Sequence, residues 1–137
     1  MQRHKNKTFT TLLAFIFGGL GLQRFYLHGW RDIWGWVHFA TLPLSLLLYW
    51  GGDGMLRLLS LSPLLLSILI GHTEALAIGL TADEKWDREH NRRSEQRSNS
   101  RWYLALLLVA TMAVFSTMLI AAIARGIDLY LTGGAYG

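Results

Sequence analysis

His72, Thr73 and Glu74 interrupt a long apolar run. An ionisable side chain in such a place is a functional hypothesis by default, since hydrocarbon tolerates it only beside a partner. A histidine and a carboxylate there could pass protons or hold a cation. On a helix, residues two apart point about 200° from each other, so the pair forms no site unaided. Each would need a partner elsewhere, such as His38 or Arg57. The alternative is that the helix ends near Gly71 and Glu74 lies at an interface. Ala75 to Leu80 would then lead along that interface to Asp83. The five histidines lie on separate segments without metal-ligand spacing, so no metal site and no other cofactor is expected.

The second group is Gly18 to Leu27, GGLGLQRFYL. Gly18, Gly19 and Gly21 invite a phosphate-loop reading, but position 24 is Arg where GxGxxG needs glycine, and no Walker lysine follows. Close packing is the better reading. Thr10, Ala14 and Gly18 stand at i,i+4 spacing and form a small-residue stripe that lets another helix approach, and Ala113, Thr117 and Ala121 repeat the pattern. Arg24 reads as a snorkelling anchor, or as a cation for a lipid phosphate or partner carboxylate. Phe25 and Tyr26 read as interfacial wedges. HExxH, GxSxG and paired aspartates on a helix are all missing from the sequence, and there is no cysteine to act as nucleophile or thiolate ligand. Enzymatic activity is therefore not expected.

Four apolar blocks must carry these residues. From Thr8 to Thr81 the only charged side chains are Arg24, Arg31, Asp32, Asp53, Arg57 and Glu74, too few to solvate the outer faces of a soluble domain. Thr8 to Leu22 would span only about 22 Å as a helix, so it must continue through Leu27 or thin the bilayer. Ile33 to Trp50 contains Pro43 and ends at a Gly-Gly-Asp-Gly turn. Met55 to Thr81 contains Pro63, and Trp102 to Ala124 has no charge. Continuous runs favour helices over an alternating barrel. Trp30, Trp34 and Trp36, then Tyr49 and Trp50, then Trp102 and Tyr103 mark block ends as aromatic belts do. Between the last two blocks, Asp83 to Arg101 mixes six basic with five acidic residues. Glu84–Arg88 and Glu89–Arg93 support a solvated helix there, with Ser94 to Ser100 polar enough to fray. The tail after Arg125 is glycine-rich and expected to be loose.

The stretch KTFTTLLAFIFGGLGLQRFYL, followed by a second apolar block, resembles the TM-two domain family of small membrane proteins, over roughly residues 5–50. Its most specific part is the glycine cluster followed by Arg24-Phe25-Tyr26-Leu27. In that family an acidic residue or histidine usually precedes the arginine and a glycine follows the leucine. Here Gln23 and His28 stand there, with Gly29 one place late. The resemblance implies a two-helix membrane hairpin and no established activity.

The expected fold is all-α integral membrane, with about four spans: a hairpin over 5–50, a third helix over 55–81, a hydrophilic loop over 83–101 and a fourth helix over 102–124. Four crossings with the N-terminus outside put eight basic residues inside and five outside. If the first block instead dips in and out, the N-terminus and the long loop share a side, and the balance becomes eleven to two. The setting expected is a bacterial plasma membrane, with the bilayer and itself or other membrane proteins as partners. Basic residues that flank apolar blocks, with no groove-entering motif, argue against nucleic acid. A non-enzymatic packing or interaction module is the leading function. The alternatives are a small proton-coupled transporter using His72 and Glu74, and a surface module whose Lys85 to Arg101 loop recruits a soluble partner or anionic lipid.

Overall fold

The structure, a computed structural model, describes residues 4–135, in which helices and their connections account for every element and no strand occurs. Arg3, counted above with the N-terminal charges, lies outside the described residues. Asn6 opens α1 (Lys7–Phe17) by accepting the Phe9 amide at 3.0 Å, which satisfies one of the helix's orphan donors. A 3₁₀ turn, Gly18–Leu20, follows, and Gly21 at φ +71° sends the chain into α2 (Leu22–His28). A Cβ at position 21 would suffer the left-handed backbone and also stand 2.8 Å from the Gly35 carbonyl oxygen.

The second helix returns beside the first. The Tyr26 hydroxyl accepts the Asn6 amide at 3.2 Å, and its ring meets Phe9 edge-on at 5.3 Å. The Lys5 ammonium donates to the Tyr26 carbonyl. The continuous helix expected through Leu27 is thus replaced by a hairpin. Glycines at 18, 19 and 21 remove the side chains that would hold a straight helix and supply the one backbone conformation the reversal needs.

Asp32 caps α3 (Ile33–Gly51) by accepting the Gly35 amide at 2.7 Å. Pro63 divides the expected third helix into α4 (Met55–Leu59) and α5 (Ser62–Leu80), and sits in the first turn of α5, where its missing N–H costs little. The fifth helix passes through His72 and Glu74 without ending near Gly71. The Thr73 hydroxyl donates to the Leu69 carbonyl at 2.9 Å, and His72 Nδ1 lies 2.9 Å from the Ile68 carbonyl, so the helix itself satisfies these polar groups. After α6 (Asp83–His90), α7 (Trp102–Thr132) runs past the expected end at Ala124. Arg125 and Asp128 pair at 2.8 Å one turn apart, and Gly133 in the left-handed conformation closes the helix, so the chain stays helical past Arg125 as far as Thr132.

The central element is α5, which packs against α1, α3 and α7. Against α1 it presents Gly71, Ala75 and Gly79, all buried at i,i+4 spacing, opposite the buried Thr10, Ala14 and Gly18. The backbones meet so closely that a Cβ on Gly18 would lie 2.7 Å from the Gly71 Cα. The interior holds small and polar side chains (Ala14, Ala75, Thr10, Thr11, Ser45, Ser67, Thr111) while Leu47, Trp50, Leu66, Val109 and Ile120 face outward. Three stretches, α3 with 19 residues, Met55–Leu80 with 26 and α7 with 31, are long and apolar enough to cross a membrane, and Lys7–Leu20 is shorter. Ala113, Thr117 and Ala121 lie on an exposed face of α7, unlike the stripe on α1.

Substituting Gly18→Ala should therefore lower the stability in detergent by about 1–3 kcal/mol, because backbone rather than a flexible side chain must move. Gly126→Ala, where a Cβ meets nothing within 4 Å, should be neutral or slightly stabilising. Thermal or denaturant unfolding of the two variants checks the contrast.

Candidate functional site

The reversal at Gly21 brings Arg24 to the start of α3 and to the last third of α5. Its Nε and Nη2 donate to the two Asp32 carboxylate oxygens at 2.9 and 3.3 Å, and its Nη1 donates to Glu74 Oε1 at 2.8 Å. Gln23 Nε2 donates to the other Glu74 oxygen at 2.8 Å. One guanidinium thus faces two carboxylates, its planar fork meeting Asp32 with two donors while a third reaches Glu74. Gln23 is fully buried, and its Oε1 has no hydrogen-bond partner among the described residues. A carboxylate at that position would stand against Glu74, so the amide supplies a donor where an acid would repel.

A second polar chain runs beside this cluster. Ser67 Oγ donates to the Gly19 carbonyl at 2.7 Å and lies 2.6 Å from His38 Nδ1. The hydroxyl has one hydrogen, so His38 must carry its proton on Nδ1 and donate it to Ser67. Arg24, His38 and Glu74 border a cleft of about 200 Å³ between α3 and α5, otherwise walled mainly by apolar groups such as Trp34, Leu66 and Ile70.

His72 belongs elsewhere: its ring stands edge-on to Phe15 at 5.6 Å, so it shares no site with Glu74. Arg57 sits at the far end, beside Asp53 at 3.7 Å and the Tyr49 ring. Phe25 stacks on Trp30 at 5.1 Å, meets Trp36 at 5.3 Å and lies against Gly35, while Tyr26 faces the N-terminal segment. Sequence reasoning missed Asp32 and Gln23. An aspartate just before an apolar run was a readable helix cap, but its second role as the partner of Arg24 needed the hairpin. Among the described residues no cluster of three His, Asp or Glu could hold a metal ion. No protein-family model, curated protein or solved structure gives a significant match to the chain.

The long loop forms a separate polar construction that clamps the N-terminal segment. Trp86 Nε1 and Asn91 Nδ2 both donate to the Lys5 carbonyl, at 2.9 and 3.1 Å, and Asn91 Oδ1 accepts the Lys5 amide at 2.7 Å. Lys7 donates to the Thr81 carbonyl at 2.8 Å and to Asp83. Contrary to the expected fraying, Ser98 and Ser100 are pinned: each donates both amide and hydroxyl, Ser98 to Asp87 and Ser100 to Asp83. Among the described residues Lys85–Glu89, at 3.9 Å, is the ion pair along α6, in place of the two expected pairs. Burial pushes both aspartates up. Lys7 and Ser100 outweigh it at Asp83, as Asn91 and Ser98 do at Asp87, so both carboxyls lie below the ordinary range. Burial against Trp86 also pushes the His90 imidazole down.

A depressed folded value means stability that is complete above the unfolded pKa, about 3.9, and that is lost as pH falls through the folded one. Hydrogen-exchange protection of the Ser98 and Ser100 amides should hold at neutral pH and drop below about pH 4. Retention of protection in fully protonated protein would contradict the assignment. At the charged cluster, Gln23→Glu should destabilise the hairpin at neutral pH, and Glu74→Gln added to it should restore most of the loss. An additive double-mutant cycle would sink that coupling.

Proposed function

We propose that the chain is a non-enzymatic integral membrane protein that acts by packing against other membrane helices, its own copies included. The single observation that carries this reading is the inverted interior. Small and hydrogen-bonded side chains hold the helices together, and most of the large apolar ones face outward, where lipid or another helix would cover them. In this reading α3, α4–α5 and α7 cross the bilayer, and the hairpin of α1 and α2 enters and leaves on one side. Lys5, Lys7, Arg24, Arg31 and the six basic residues of the long loop then share a side, with Arg57 and Arg125 opposite. The positive-inside rule assigns the crowded side to the cytoplasm. The resemblance to the TM-two family belongs to this reading, with its first helix re-entrant here, and so does a bacterial plasma membrane.

The cysteine-free chain makes the test direct. Single cysteines at positions 4, 29 and 92 should label from the cytoplasmic side, and those at 53 and 135 from the other. Four full crossings would instead group position 4 with 53 and 135. A cysteine at Thr117, on the exposed face of α7, should crosslink in membranes. A strictly monomeric protein without neighbours would remove the packing role.

A proton-coupled carrier is the second reading, favoured by the cleft where Glu74 meets His38 rather than His72. Its mark would be a liposome proton flux abolished by Glu74→Gln.

A further inference from the structure

The loop looks balanced in sequence, but its charges are sorted in space. Asp83 and Asp87 turn inward to Lys7, Asn91, Ser98 and Ser100. Ser98 and Ser100 are half-buried, while Arg97, Asn99 and Arg101 between and beside them are exposed, the alternation of an extended strand. Arg97 and Arg101 thereby share one face, and among the described residues neither forms a salt bridge. With His4, Asn99 and Tyr103 they line a polar cavity of about 400 Å³ between the N-terminal segment and the start of α7. Trp102 and Tyr103 open the longest apolar helix at this spot, and such aromatics sit at headgroup level.

We propose that this cavity binds the phosphate of an anionic glycerophospholipid from the adjoining leaflet. Arg97 and Arg101 supply the charge, and Asn99, His4 and the Tyr103 hydroxyl supply hydrogen bonds. Phosphate suits guanidinium groups because their paired N–H donors match its oxygens. The four bonds from Ser98 and Ser100 hold the backbone between the arginines before any lipid arrives, so little ordering accompanies binding. A membrane lipid is favoured over a soluble anion because the cavity borders the first turn of α7, where the acyl chains would continue along its apolar surface. This rests on α7 crossing the bilayer, and the two ideas fail separately: cysteine accessibility tests the crossing, and lipid counting tests the site.

The test is native mass spectrometry of the full chain in neutral detergent, titrated with phosphatidylglycerol, phosphatidylcholine or inorganic phosphate. The expected result is one tight phosphatidylglycerol, weakened about tenfold or more in an Arg97→Gln/Arg101→Gln variant. That factor corresponds to about 1.4 kcal/mol or more. Arg88→Gln/Arg92→Gln removes the same charge from the same loop outside the cavity and should leave the tight lipid in place. Arg97→Lys/Arg101→Lys should retain part of the affinity. Equal loss in both glutamine variants would reduce the effect to diffuse charge and overturn the site, as would undiminished binding without Arg97 and Arg101. Inorganic phosphate displacing the lipid at comparable concentration would overturn the lipid assignment. Unchanged protection of the Ser98 and Ser100 amides shows that the variants keep the clamp.

Discussion

A chain that reverses direction inside a packed interior must find partners for the peptide groups that the reversal leaves unpaired, and this constraint organises the molecule. At Gly18–Gly21 the turn meets part of that demand itself, since the Gly21 amide donates to the Gly18 carbonyl at 3.0 Å. The Gly19 carbonyl accepts from Ser67 on α5. Ser67 in turn is fixed by His38 on α3. One carbonyl therefore ties three segments together, and it accounts for a histidine and a serine in otherwise apolar helices.

The same reversal requires close contact. A turn made of glycines presents bare backbone, and only another bare backbone can fill the space around it. Gly71 does this for Gly18, and Gly35 lies beside Gly21. The partner stripe on α5, Gly71-Ala75-Gly79, extends the contact toward α7, where Gly79 gives room to Leu108. Packing of this kind gains from dispersion and from short interhelical hydrogen bonds rather than from burying large apolar groups, which is why those groups can remain outside.

The helical class, the block positions and the small-residue stripe on α1 were all readable in the sequence, because apolar run length and i,i+4 spacing are local signals. The α5 stripe is equally local, with Gly71, Ala75 and Gly79 at i,i+4 spacing around the polar His72 and Glu74. What could not be read was pairing. Arg24 is equidistant in pattern from many carboxylates until Gly21 turns it toward Asp32 and Glu74. The loop's serines looked like a fraying end because Asp83 and Asp87 are more than ten residues away along the chain. Sequence reported the composition of each polar group, and the fold alone assigned its partner.

Charge pairing then argues for the hairpin independently of the glycines. Lys7 binds at Thr81 and Asp83, and Arg24 binds at Glu74. Position 74 on α5 and position 81, just past its end, are seven residues apart, about 10 Å along the axis. Positions 7 and 24 on one straight helix would be about 26 Å apart, so a continuous first span could satisfy either contact but not both. With both cations met at that spacing, the first block must fold back on itself. A straight span would leave either the Lys7–Asp83 pair or the Arg24–Glu74 pair unmade.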